Sequence, residues 1–489
     1  MMKNNNIYIP YALIAVFSLL FLVIYFYTTS PFYAEPSSMD SAVFQLIGKE
    51  WLNGGLPYVT LWDLKGPIIY LVNALGYAIA GTRLGVFIIE WIVVTTTLAI
   101  MYRWLCSEFS VKISLILIVF PLLNICANDL GGNAVAEYIL PLLAVSFVGI
   151  YSWISKVSEQ TSVVQHRPIF AIVYGVVLSF SLLSRITNAI GVCAAVAVIG
   201  IYLMIKGEWK NLFKNLLYFL LGFFSILIPC VLYFRSHNAE YDMWYGTILY
   251  SIDYAKDANS VYHSLVELLK SIVHFVDVYV LLLVSFILLT IPKRRITGGM
   301  WLAVSGFTLV WLLSGWGFAH YGLIAIPYFC ISILEMKHIY EYYRHKNVSK
   351  VLVIVFSAYV AIILLGAIHS YRLYLNLYQD NQELKEARAI LAELPSDYKT
   401  SFVAYNCTPD LYLYNEITPY YPYFSLQDFE KRNSPSLSKR VYDTFVYGDV
   451  KWILVRDIET CTLKKELLRR YDIYIQHDKT LLTVLRSKK

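Results

Sequence analysis

Residues 39–67 read MDSAVFQLIGKEWLNGGLPYVTLWDLKGP, and they hold two carboxylates, Asp40 and Asp63, and a lysine, Lys65, set beside a Gly66-Pro67 turn. A carboxylate partly removed from water is a proton acceptor for a hydroxyl. A lysine fixed beside a rigid turn is a positioned charge suited to phosphate. Apolar segments flank the stretch on both sides, so the chemistry it suggests acts on a phosphate carried by a lipid. Each reading has a plain structural counterpart. Asp40 would cap the helix that follows it, and Asp63 and Lys65 would form a local ion pair that anchors the loop.

Four further places supply groups of the same kinds. Asp129 lies in Asn128-Asp129-Leu130-Gly131-Gly132-Asn133, and Glu137 follows at a helix start, where a carboxylate also favours the positive helix end. Arg185, in SLLSRITN, interrupts two apolar runs. It is either a snorkelling side chain or a phosphate ligand. His320 and Tyr321, in Phe318-Ala319-His320-Tyr321, precede Pro327 and offer a donor to an anionic oxygen beside an interfacial ring. The bland reading of that pair is an aromatic belt. A Tyr-, Trp- and Asp-rich stretch at 235–275 has the composition of a sugar-binding surface or of any interfacial loop.

The elements that position these groups are membrane helices. The chain has 489 residues, of which 58% are hydrophobic and 15% charged, with mean hydropathy +0.56; soluble domains carry roughly 25% charged residues. Its apolar runs approach the ~20 residues that cross a bilayer. The first, Ile7 to Thr29, lacks a small-residue cleavage site and is read as a retained anchor. Loop charge sets the topology. With 67–81 lying at the surface, Lys3, Arg103, Lys112, Lys156, Arg167, Lys206, Lys210, Lys214, Lys293 to Arg295 and Lys337 to Lys350 all fall on one side. This predicts about eleven transmembrane helices, N-terminus inside and C-terminus outside. The 30–83 loop, the 127–137 loop, Arg185 and His320 then share the outer face.

Val43, Phe44, Ile47 and Trp51 recur at helical spacing before Gly54-Gly55, which predicts an interfacial helix with Asp40 in its first turn. Beyond the transmembrane part, 1–371, residues 372–489 change character. SFVAY, KWILVR, YDIYIQ and TLLTVL are β-rich, with helical DNQELKEARAILAEL before them and helical LSKRVYDTFV and TLKKELLRR between them. The alternation predicts a small α/β domain on the exported side. The net charge of +6 comes from segment ends and gives no sign of nucleic-acid binding. Five of the seven cysteines lie in or near apolar runs, whereas Cys407 and Cys461 could pair in an oxidising compartment. No Cys/His spacing resembles a zinc site.

The order of these motifs resembles the GT-C superfamily of polyprenyl-phosphate-sugar glycosyltransferases, nearest to bacterial relatives of the protein O-mannosyltransferases and the lipid A aminoarabinose transferases. Asp40 stands where those families have an acidic residue after the first span. Lys65-Gly66-Pro67 stands where they have a Lys-Pro-Pro-like turn. Arg185 follows the fifth span, and His320-Tyr321 leads to Pro327 in the tenth. Asp40-Ser41 replaces the Asp-Glu of many relatives, and the acid before the lysine lies two positions back, at Asp63. The resemblance implies an undecaprenyl- or dolichyl-phosphate sugar donor and a bacterial plasma-membrane enzyme with its active site and C-terminal domain extracytoplasmic. It also implies an inverting displacement with Asp40 as base and with Lys65, Arg185, His320 and Tyr321 on the donor phosphate. Asp63, Asp129 and Glu137 become supporting, acceptor or metal candidates; a divalent metal is compatible with them, though nothing in the spacing demands one. The acceptor is a glycan, glycolipid or protein. A polysaccharide polymerase or ligase using lipid-diphosphate glycans, and a lipid-linked glycan transporter, are the rival readings.

Overall fold

The structure is a computed structural model that describes residues 8–129, 131–159, 163–252, 265–314, 318–344, 347–378, 381–477 and 480–488. The chain divides into two compact units. One comprises Met1–Ser30, Phe87–Tyr233 and Ala258–Leu373; the other comprises Pro31–Val86, Phe234–Asp257 and Tyr374–Lys489.

The first unit is a helical membrane bundle. Among the described residues, seven helices are long and apolar enough to cross a bilayer, and the count reaches nine if each of two bent helix pairs is one span. Shorter apolar helices run over Ile9–Tyr25 and Pro168–Leu182, both expected as spans, and over Pro67–Ala80, expected at the surface. Pro67–Ala80 has 14 residues, or ~21 Å of helix, and belongs to the second unit. Fully buried Phe147, Trp301, Tyr328 and Ile331 lie in the bundle core.

The bent pairs are absent from the sequence reading, because hydropathy measures length and not direction. Leu268–His274 and Val276–Leu288 meet at 93°, and Ala319–Ala325 meets Tyr328–Tyr342 at 53°. The second break has a local cause. Residues 319–325 form a 3-10 turn, and Pro327 sits at the N-cap of the following helix, where it has no N–H to donate back to that turn. The two breaks pack backbone to backbone at Gly322, where a Cβ would overlap the carbonyl oxygen of His274. Asp277, in the first turn after the other break, is buried. It accepts hydrogen bonds from Asn124 Nδ2 at 2.7 Å and from the Tyr359 hydroxyl. Asn128 in turn donates to Asn124 at 2.8 Å.

The second unit holds a four-stranded sheet formed by β1 (Phe402–Tyr405), β2 (Trp452–Arg456), β3 (Tyr471–Gln476) and β4 (Leu482–Ser487), in the order β1-β2-β4-β3. Each strand falls on one of the four expected β-rich runs. β1 pairs parallel with β2, and the remaining pairs are antiparallel. A parallel pair needs a crossover, and helix Pro435–Tyr447 lies within it. Helices Gln382–Leu391 and Lys464–Arg470 occupy the other two stretches expected to be helical.

The first loop folds with these elements. Helix Met39–Leu52 packs on Pro67–Ala80 so closely that a Cβ at Gly48 would lie 2.6 Å from Asn73 Cβ. Arg388 makes a two-pronged ion pair with Glu35 at 2.5 and 2.6 Å. Asp410 accepts from the Ser38 amide at 3.0 Å and from its hydroxyl at 2.7 Å. Cys407 and Cys461 are both buried free thiols, not a disulfide. Cys407 Sγ lies instead at 3.6 and 3.7 Å from the Tyr405 and Leu454 carbonyls, which spends its hydrogen-bonding capacity on the sheet.

Candidate functional site

Asp40 occupies the first turn of helix Met39–Leu52, as the periodicity predicts, but it does not cap it. Ser38 stands at the N-cap, and its own amide and hydroxyl are taken by Asp410. The Asp40 side chain is exposed, not partly withdrawn from water as expected, and its carboxylate has no hydrogen bond or ion pair among the described residues. The helix end places positive potential behind it. Asp63 is the withdrawn carboxylate. It is buried and accepts from the Tyr70 hydroxyl at 2.7 Å. Burial pushes it above the usual carboxylate range, while Lys65 and Tyr70 pull it back.

The expected Asp63–Lys65 ion pair does not form. Lys65 makes no ion pair within 4.0 Å among the described residues; its ammonium is half-buried and uncommitted. Its backbone is held instead. Lys65 N–H donates to the Tyr70 hydroxyl at 3.2 Å, and Tyr58 O–H donates to the Lys65 carbonyl at 2.7 Å. Tyr58 adopts φ +70° to reach it. Trp62 closes the wall, edge-on to Tyr250 at 5.1 Å and beside Tyr423 at 5.8 Å. Of the aromatic 235–275 stretch, Tyr250 thus joins this wall; residues 253–264 lie outside the described residues.

A third carboxylate joins this cluster from far along the chain. Glu430 follows helically from Gln427, and its carbonyl accepts from Tyr250 O–H at 2.6 Å. Removal from water, then Asp63 and then Asp40, push its carboxyl well above the usual 4.5, with Lys65 opposing them. The cluster is therefore three acids and one lysine. A carboxyl raised in the folded state contributes its stability below the unfolded value and loses it as pH climbs toward the folded one. Glu430→Gln, which cannot ionise, should therefore shrink the fall in Tm between about pH 5 and pH 8, at about 2–4 °C for each kcal/mol. Thermal unfolding of both proteins at the two pH values checks this; equal falls would mean that Glu430 titrates normally.

In the membrane unit, Arg185, His320 and Tyr321 come together as expected. The Arg185 guanidinium lies over the Tyr321 ring at 3.5 Å. His320 meets the edge of Tyr321 at 4.8 Å and stacks on Phe318 at 5.6 Å. Arg185 Nε donates to Thr187 Oγ1 at 2.8 Å, which fixes the plane of the fork. Arg185 Nη1 is buried without a partner among the described residues. Burial pushes Arg185 down to about 10, so it remains a cation at neutral pH. An arginine stacked on one face, braced at Nε and open at Nη1 is not snorkelling to solvent; it is held to present a donor.

Asp129 and Glu137 are also brought together, but in a buried knot. Glu90, which lies within an apolar helix and which the sequence reading passed over, accepts from the Thr29 hydroxyl and the Asn133 amide. Asp129 accepts from the Gly132 amide at 3.1 Å, and both Glu137 oxygens are buried without partners among the described residues. Three successive positive φ angles, at Gly131, Gly132 and Asn133, make the turn. A Cβ at Gly131 would overlap the Tyr27 ring. Burial raises the carboxyls of both Asp129 and Glu137, and Asp129 raises Glu137 further. Among the described residues no three His, Cys, Asp or Glu side chains are grouped to hold a metal ion.

No family model matches this sequence, and no curated protein matches it. Solved structures do share its fold. ArnT from Cupriavidus metallidurans in the apo state superposes with TM-score 0.58 at 11% identity, covering 97% of this chain and 97% of that one. The same protein bound to undecaprenyl phosphate gives TM-score 0.53 at 12% identity, again over 97% of each chain. The chain therefore has the ArnT fold across almost its whole length.

Proposed function

We propose that this integral membrane protein is a glycosyltransferase that moves a sugar from a polyprenyl-phosphate donor to an acceptor hydroxyl on the outer face of the membrane. The observation that carries the reading is the end-to-end fold likeness to a protein solved with undecaprenyl phosphate, joined to an arginine presented at Nη1. In the reaction, Asp40 takes the proton from the acceptor O–H as that oxygen attacks the anomeric carbon. The new C–O bond forms as the bond from that carbon to the phosphate oxygen breaks, with inversion. The lipid phosphate leaves with one more negative charge than it brought. Lys65 and Arg185 meet that charge, an electrostatic contribution of about 3–4 kcal/mol for a well-placed donor. Tyr321 orients Arg185, and His320 supports Tyr321 from its edge. Asp63 holds Tyr70, and through it the backbone of Lys65.

Release of lipid phosphate from a labelled polyprenyl-monophosphate sugar by the purified protein is the test. A polymerase or ligase would leave that donor intact and consume a lipid-diphosphate glycan. Transport has one observation in its favour, since interrupted helices mark the binding sites of transporters and two occur here. It would give flux across vesicles with no bond cleaved.

The topology carries its own expectation. With eleven spans and the N-terminus inside, a cysteine replacing Met300 should react only with membrane-permeant reagents in intact cells. Labelling by an impermeant maleimide would invert that part of the chain.

A further inference from the structure

Three residues beyond Arg185, Asn188 is another side chain of the membrane unit whose polar atoms are buried without partners among the described residues. Asn188 is 1% exposed, and neither its Nδ2 nor its Oδ1 has a hydrogen-bond partner among the described residues. Such a group gives up its hydration with no bond in return, and buried amides are rarely left so. Its place in the chain explains what it is for. Residues Ile186–Ala189 form a 3-10 turn whose closing bond runs from the Asn188 amide to the Arg185 carbonyl at 3.0 Å. That bond closes Arg185 and Asn188 into one tight turn, which keeps the two residues close along the chain. Arg185 Nη1 is also buried and unpartnered among the described residues. Arg185 caps and Asn188 lies in the first turn of the 20-residue helical run Ile186–Ile205, whose N-terminal amides favour an anion. Two buried donors left unpaired within one turn, at the positive end of a helix, suit one acceptor with several oxygens.

We infer that Asn188 donates its Nδ2–H to the donor phosphate that Arg185 holds, so that the phosphate is gripped by a guanidinium and an amide together. This rests on the assignment of Arg185 to a lipid phosphate. Arginine supplies the charge, and the amide fixes which oxygen faces it. A lipid phosphate in such a seat is bound by its head group, independently of the sugar it carries.

The test uses the full chain in lipid nanodiscs with undecaprenyl phosphate as the probe. Asn188→Asp keeps the shape and exchanges the N–H donor for a carboxylate oxygen that repels phosphate; it should weaken binding at least tenfold. Asn188→Leu should do the same, and Ser179→Ala, at another buried unpartnered hydroxyl, should bind like the parent. Unfolding temperatures of the variants identify any loss due to misfolding, and Asn188→Asp is the near-isosteric safeguard. Parent-like affinity in both Asn188 variants, with Arg185→Ala impaired, would overturn the inference and leave the phosphate reading of Arg185 standing. If the parent protein itself does not bind the probe, the lipid-phosphate reading falls and the role of Asn188 with it.

Discussion

Asp40→Asn should lower turnover by about 10²–10⁴-fold, the usual contribution of a general base, with the fold left intact. The substitution keeps the shape and removes only the ability to accept a proton. Nothing structural should follow, because the Asp40 carboxylate has no partner among the described residues and the N-cap residue, Ser38, is anchored by Asp410. The helix loses one favourable charge near its N-terminus, worth about 0.3–1 kcal/mol. Release of labelled lipid phosphate, measured beside the thermal transition, separates the two effects. Normal turnover by the Asp40→Asn protein would move the base to Asp63 or Glu430, the other carboxylates of the cluster, and Glu430→Gln would then become the decisive variant.

Arg185→Ala should lower kcat/KM for the donor by roughly 10²–10³-fold, as removal of a well-placed donor to developing charge does. Arg185→Lys should recover only part of it. Lysine keeps the charge but cannot lie flat on Tyr321 at 3.5 Å and brace against Thr187 while still aiming a donor. Lys65→Ala should weaken donor use by more than tenfold, since its ammonium has no ion pair to lose among the described residues and so no structural task. Donor affinity unchanged in both alanine variants would remove the phosphate clamp altogether.

Local pattern made much of this molecule legible. The β-branched and aromatic runs of the last hundred residues locate all four strands, because a strand's pattern is written in consecutive residues. Helical spacing from Val43 to Trp51 places Asp40 in a first turn. A cation breaking two apolar runs and an aromatic turn before a proline identify Arg185 and Tyr321, which the fold stacks together. What the sequence hides is set by tertiary structure. Glu430 sits in QDFEKRN, a stretch of ordinary surface composition, and reaches the Asp40 cluster only through the fold of the second unit. Glu90 and Asp277 are single acids inside apolar runs, which a hydropathy window averages away. Asn188 carries no charge and is conspicuous only once its partners can be counted. The bends at Phe275 and Pro327 leave segment length unchanged, so a span count cannot register them. The cysteines at 407 and 461 share a polar region, yet composition says nothing of the separate sites in which the fold buries them.

The contact at Gly322 has a mechanical result. With no side chain between residue 322 and the carbonyl of residue 274, neither elbow can swing without pushing the other. Displacement of the turn bearing His320 and Tyr321 is thereby delivered to the helix start at Asp277, whose bonds to Asn124 and Tyr359 resist it. Tyr321, the ring beneath Arg185, thus lies one residue from the contact that ties the two elbows together.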